Sequence, residues 1–185
     1  MNNITVTDGD IFDHFENHDS GPCVMVHQAN CLHCMNGGIA LAIRKKWPIV
    51  AEVDRERPRG LGTFSIAMIP DLKDHRVANL YGQSRFYDSN CDRPEMGFTA
   101  TNYNALHGAL LSLCEYLETP TAIYIPYGMG CGLARGSWSI VSGIIRDVAS
   151  ASFRLIPKHM FHIIHKVPEH TKAPVPYNPI EEIPY

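Results

Sequence analysis

Two short apolar runs each pass directly into a glycine-rich segment, and each of those segments opens a helical pattern. Residues 23–28, CVMVHQ, lead through His27-Gln28-Ala29-Asn30-Cys31-Leu32-His33-Cys34-Met35-Asn36-Gly37-Gly38 into the pattern GIALAIRKKW at 38–47. Residues 122–125 lead through Tyr127-Gly128-Met129-Gly130-Cys131-Gly132-Leu133-Ala134-Arg135-Gly136 into a second helical pattern at 138–148. A strand that ends in a glycine loop and continues as a helix is half of a βαβ unit, so two of them place the chain among α/β sheets. In such sheets ligands collect beyond the carboxyl ends of the strands, where both loops fall.

The rest of the pattern fits that frame. Further β-prone runs lie at 4–6, 64–69, 77–81 and 160–165, with 71–75 as a hairpin or irregular connection. Ile39, Ala42, Ile43 and Trp47 recur at helical spacing, and Pro48 marks an end or a kink. Tyr103, Leu106, Leu110, Leu113 and Leu117 form one stripe of a helix over 100–117, and Trp138, Val141, Ile144, Ile145 and Val148 define another, with Ser137 available as its N-cap. The order β β α β β α β α β, with room for extra short helices, implies a three-layer α/β/α domain around a mixed, about six-stranded sheet. That domain takes residues 1–165. From 166 to 185, five of the thirteen prolines fall in twenty residues, which predicts an extended or disordered arm.

Composition narrows the partners. Sixteen Lys and Arg against nineteen Asp and Glu give a formal charge of −3 without a basic block, so no polynucleotide groove is expected. Apolar runs fall well short of the ~20 residues that span a bilayer, and the N-terminus has no signal-peptide core; a cytoplasmic protein without a membrane partner is the expectation. Six scattered cysteines in a chain of this size read as reduced thiols. His27, Cys31, His33 and Cys34 crowd the first loop like a zinc set, but no second Cys-x-x-Cys completes it. Cys31 and Cys34 read better as small fillers, and neither a metal nor a cofactor is expected.

The loops themselves suggest anion chemistry. Glycine lets a ligand approach the backbone, a helix N-terminus offers free N–H groups, and alternating glycines let successive N–H groups converge on an oxyanion. Two such loops at one sheet edge suit a diphosphate. Neither matches a nucleotide P-loop, which needs Gly-Lys-Ser or Gly-Lys-Thr, nor the dinucleotide fingerprint. Plainer roles stand beside these: Asp10 as a helix cap, Asn30 as the organiser of an Asx-turn, His27 as a satisfied core histidine, and Trp138 and the tyrosines as packing groups, with an aromatic near Phe86-Tyr87 covering a sugar.

Thr7-Asp8-Gly9-Asp10-Ile11, the segment 27–40 and the segment 125–138 together resemble the macro domain, the ADP-ribose-binding fold, over about residues 3–165. The Gly-Cys-Gly-Leu of the second loop and the single Gly-Gly-Ile-Ala of the first are most similar to the branch holding terminal ADP-ribose protein glycohydrolase and the yeast-type ADP-ribose-1″-phosphate phosphatase. The resemblance implies that Asp10 accepts from the adenine amino group with Ile11 beside it, that Asn30 meets the distal ribose, and that Gly37, Gly38 and Ile39 contact the diphosphate. It implies a second phosphate loop at Gly128, Met129, Gly130, Cys131, Gly132 and Leu133. The glycohydrolase's Lys and Asp appear here as Gln83 and Ala134, which removes its covalent chemistry, whereas His27 stands where the phosphatase has a histidine proposed to act in catalysis. The expected function is therefore binding of ADP-ribose or an ADP-ribosyl derivative, with hydrolysis of ADP-ribose-1″-phosphate through His27 and Asn30. The alternatives are a non-catalytic module recognising ADP-ribosylated macromolecules, and an ADP-ribosyl-protein hydrolase that does without the Lys/Asp pair.

Overall fold

The computed structural model describes residues 3–56, 60–85, 99–155 and 159–166. The aromatic pair Phe86-Tyr87, Cys91 and the arm beyond Lys166 lie outside the described residues. The elements are β1 (Ile4–Asp8), α1 (Ile11–Glu16), β2 (Cys23–Asn30), α2 (Gly38–Lys46), α3 (Pro48–Arg55), β3 (Phe64–Met68), β4 (His75–Gln83), α4 (Tyr103–Tyr116), β5 (Ala122–Pro126), α5 (Trp138–Leu155) and β6 (Met160–His165). The six strands form one sheet in the order β1-β6-β5-β2-β4-β3. Neighbours run parallel except β3, which pairs antiparallel with β4 at the edge, so the sheet is mixed.

Burial on both faces is what makes three layers. Along β2, Val24 and Val26 enter one core with Leu106, Leu110 and Leu113 of α4 and Val141 and Ile145 of α5. Cys23 and Met25 enter a second core with Phe15 of α1, Ile43 of α2, Val50 of α3 and Trp47 between those two helices. Alternate side chains of a strand point to opposite faces, so a fully covered strand reads as the continuous apolar run seen at 23–28. Ile123 and Ile125 against Ala122 and Tyr124 repeat the division on β5.

Two helices go beyond the sequence reading. Six-residue α1 is too short to show a period; it starts because Asp10, in extended conformation, caps it by accepting from the Phe12 N–H at 2.8 Å. Pro48 does mark the end of the pattern, since α2 stops at Lys46 with Trp47 as its C-cap, but it also sits in the first turn of a separate helix, α3, where its missing N–H costs nothing. α4 begins at Tyr103 rather than 100 because the Asn102 side chain accepts from Ala105 N at 3.0 Å. Among the described residues no helix is long and apolar enough to cross a membrane.

The thiols of Cys23 and Cys114 are pushed up to about 12 by burial, and the five described cysteines are all free. Leu110, fully buried between α4 and the sheet, tests the larger core. Leu110→Ala should cost about 2–5 kcal/mol, read as a fall in the urea midpoint at unchanged slope; a loss under about 1 kcal/mol would mean that this core is loosely packed.

Candidate functional site

Parallel strands β2, β5 and β6 end on the same side of the sheet, and the two glycine loops leave from there. Between them lies a cleft of about 460 Å³, lined among others by Gln28, Asn30, Gly37, Gly38, Gly128 and Gly130. That volume is in the range of small-molecule sites. Of the expected residues, Asn30, Gly37, Gly38, Ile39, Gly128, Met129, Gly130, Gly132 and Leu133 line it, whereas Asp10, Ile11, His27 and Cys131 do not. The lining also includes Gln28, Asn36, Ala40, Pro126 and Tyr127, which the sequence did not single out, Cys34, read there as a small filler, and Gln83 and Ala134, noted there only as departures.

The first loop ends at α2, whose N-cap Gly37 makes no side-chain cap bond. The opening N–H groups of that helix, beside the cleft at Gly38, Ile39 and Ala40, are thus without the cap that a serine or aspartate would provide. Asn30 shapes the loop rather than presenting a free amide. Its Oδ1 accepts from Leu32 N at 3.1 Å and Cys34 N at 3.2 Å, and its Nδ2 donates to the Cys34 carbonyl at 2.8 Å. All three bonds stay within the loop, which is the Asx-turn role.

The second loop alternates. Met129 and Cys131 donate inward, to the Pro126 and Gly128 carbonyls at 3.0 and 2.9 Å, while the N–H groups of Gly128, Gly130 and Gly132 have no partner among the described residues. Gly130 sits at φ +74°, a left-handed conformation that side chains resist, and a Cβ there would lie 2.5 Å from Gln28 Oε1. Cys131 turns in, its Sγ 3.4 Å from the Met129 carbonyl, which takes it out of the lining. Leu133, 71% exposed, reaches over Gly37 at the lip.

His27 occupies a different place from the one its position at a strand end suggests. Strand alternation turns residue 27 into the layer of Cys23 and Met25, away from the cleft, and the side chain is completely buried. Its Nε2–H donates to Asn79 Oδ1 at 2.6 Å; Asn79 Nδ2 donates to Ser65 Oγ at 2.9 Å; Ser65 bonds the Tyr81 hydroxyl at 2.9 Å, and Tyr81 donates to buried Asp54 of α3. His33, on the first loop at φ +57°, closes the chain at 3.2 Å from Asp54. Burial pushes the His27 imidazole below its ordinary value, against the opposing pull of Asn79, the Gln28 carbonyl and Asp54. Sealed in this layer and bonded to Asn79, the imidazole does not face the cleft.

Asp10 and Ile11 lie at the β1 end of the edge. Ile11 is in the core, and Asp10 pairs its Oδ2 with Lys166 Nζ at 3.6 Å while Oδ1 caps α1. Between this end and the cleft stands Tyr127, its ring 4.5 Å from both Trp138 and His165. The described lining residues include no charged side chain, and Cys34 and Tyr127 are the titratable ones among them. Among the described residues no three His, Cys, Asp or Glu side chains are grouped to hold a metal ion; Cys31, beside Asp54, has its thiol pushed up by burial and by that carboxylate.

No protein-family profile matches the chain. It is 29% identical over 143 residues to an uncharacterized 17.5 kDa protein of the tk-vs intergenic region of enterobacteria phage T4, covering 71% of this chain and 83% of that one. Its structure superposes on a macrodomain protein from Streptomyces coelicolor with a TM-score of 0.64 at 22% identity, over 89% of this chain and 98% of the other. The fold is that of the macrodomains. It is also similar to Thermosipho africanus DarTG, solved in complex with ADP-ribose, with a TM-score of 0.57 at 14% identity over 90% of this chain and 42% of that one.

The depressed value of His27 makes stability pH-dependent, and His18, His159 and His162 share its direction, with burial first among the causes. The unfolded chain takes up these protons as pH falls through about 6.5, the folded chain only at lower pH, so stability is full above that value and declines below it. The urea midpoint should fall between pH 7.5 and 5, less steeply in His27→Asn. An unchanged or rising midpoint towards pH 5 would mean that the buried imidazoles are charged in the fold.

Proposed function

We propose that the protein binds ADP-ribose or an ADP-ribosyl derivative in this cleft. The observation that carries the reading is the pairing of two backbone donor sets without partners among the described residues, the uncapped start of α2 and the Gly128, Gly130 and Gly132 N–H groups, across a cleft whose described lining holds no charged side chain. Backbone donors and a helix dipole hold a diphosphate without cationic side chains. The macrodomain fold, and the resemblance of Asp10 and both loops to that family, support the same ligand. Asp10 then marks the base end, with Tyr127 as an aromatic ledge between base and diphosphate, and Gln28, Asn30 and Gln83 mark the distal-ribose end.

Recognition is favoured over turnover, because the described lining holds neither an imidazole nor a carboxylate and His27 is sealed in the opposite layer. ADP-ribosylated macromolecules are the corresponding partners. A second reading is hydrolysis of ADP-ribose-1″-phosphate. The carboxamides of Asn36 and Gln83 at the cleft favour it, since each has an Nδ2 or Nε2 hydrogen without a partner among the described residues to offer a phosphate or a water that the substrate's own phosphate would activate.

Calorimetric titration with ADP-ribose tests the first reading, and phosphate released from ADP-ribose-1″-phosphate tests the second. Gly130→Val should abolish ADP-ribose binding while the protein still melts cooperatively. Asp10→Asn keeps the cap of α1 but loses the carboxylate, and should weaken binding by about 1–3 kcal/mol. Full affinity in both variants would remove these residues from the site. Phosphate release well above background that persists in His27→Asn would establish turnover without that imidazole.

A further inference from the structure

Strand alternation sends Gln28, the residue after His27, to the α4 side of the sheet, where its carboxamide meets three separate elements. Its Nε2 donates to Gln83 Oε1 at the end of β4, at 2.6 Å, and to Thr101 Oγ1 just before α4, at 3.0 Å. Thr101 in turn donates to the Gly130 carbonyl in the second loop at 2.7 Å, the same carbonyl that accepts from Gly136 N at 2.8 Å. Gln83 Nε2 donates to the Arg85 carbonyl at 3.0 Å, so both ends of that amide are engaged.

The carboxamide is also clamped sterically. A Cβ on Gly82 would come within 3.0 Å of Gln28 Cγ and Oε1, and one on Gly130 within 2.5 Å of Oε1. Gln28 Oε1 is buried and has no hydrogen-bond partner among the described residues. A buried acceptor left unpaired is destabilising, and an apolar side chain of the same length would avoid it. Stability therefore does not explain a glutamine here, whereas the two directed bonds from its Nε2 do.

We propose that Gln28 and Thr101 form a lock that holds the second glycine loop in its anion-binding shape, making both of them positioning residues for the ligand's phosphates. Gln28 ties the end of β4 to the hydroxyl of Thr101, and Thr101 fixes the Gly130 carbonyl pointing inward. With that carbonyl fixed, the flanking N–H groups of the loop stay turned towards the cleft. The effect on affinity rests on the ADP-ribose reading above; the effect on loop shape does not.

The test combines amide spectra of the free protein with ADP-ribose titration. Gln28→Met keeps the volume between Gly82 and Gly130 but loses the amide, and Thr101→Val loses the hydroxyl; Thr101→Ser restores it. In Gln28→Met and Thr101→Val the amide resonances of 128–136 should move while those of Gly37 and Gly38 stay. Each should bind ADP-ribose about tenfold more weakly, the double variant should be little worse than either, and Thr101→Ser should match the unmodified protein. Unmoved loop resonances in folded variants, or losses that multiply to about a hundredfold in the double variant, would overturn the lock. If the unmodified protein fails to bind ADP-ribose while the loop resonances still move, the ligand reading falls and the lock stands.

Discussion

Because β2 lies inside the sheet with a helical layer on each face, every one of its side chains must belong to one of two cores. The consequence reaches past the hydrophobic residues. When the strand approaches its end and the sequence turns polar, the same alternation carries on: His27 goes to the α1–α3 layer and Gln28 to the α4–α5 layer. A polar group delivered into a covered layer must find partners there. His27 finds Asn79, its cross-strand neighbour on β4 in the parallel register, and Gln28 finds Gln83 and Thr101. The chemistry of the site follows from that division, since only the second of these residues reaches the cleft.

Each loop is thereby held from a different layer. The first is anchored to α3 through His33 and Asp54 and knotted on itself through Asn30. The second is anchored to the start of α4 through Thr101, and Ala134 reinforces it by accepting from the backbone N–H groups of Ala100 and Thr101. Donor groups that must converge on one ligand are best fixed before it arrives, because ordering them on binding would reduce affinity. The non-glycine residues at positive φ in the two loops, His33 and Arg135, fit such a cleft: an unfavourable backbone conformation persists only where surrounding contacts over-determine it.

Much of this was legible in the sequence. The order of strands and long helices follows from periodicity, and the two glycine loops announced the site because strand, loop and helix occur in that order twice. What stayed hidden has specific causes. α1 has only six residues, and α3 was masked by Pro48, which reads equally well as a helix end and as a first-turn residue. CVMVHQ is apolar at both parities, so the sequence holds no signal for which face residue 27 takes; that is why His27 stood out as a candidate while its neighbour Gln28 did not. Cys131 and Met129 alternate with glycines on one loop, yet only Met129 reaches the cleft, because the Cys131 thiol turns in to the Met129 carbonyl, a contact that the residue order does not announce.

The absence of charged side chains from the described lining also bears on how the site discriminates. A cleft that holds an anion with lysine or arginine gains most of its attraction at long range and loses much of it to salt. Backbone N–H groups and a helix terminus act within the first turn and only when the oxyanion lies along their dipoles, so a site of the proposed kind selects by shape more than by net charge. The carboxamides around the cleft extend that logic to the sugar, since an amide in a fixed orientation distinguishes donor from acceptor. Gln28, held between Gly82 and Gly130 with both Nε2 hydrogens committed, and Gln83, committed at both ends, are fixed in that sense. A site built this way tolerates no side chain at Gly130 and no rotation of the carboxamide behind it, so the glycine and the glutamine form a single device: the bare Cα admits the carboxamide, and the carboxamide, through Thr101, holds the Gly130 carbonyl inward.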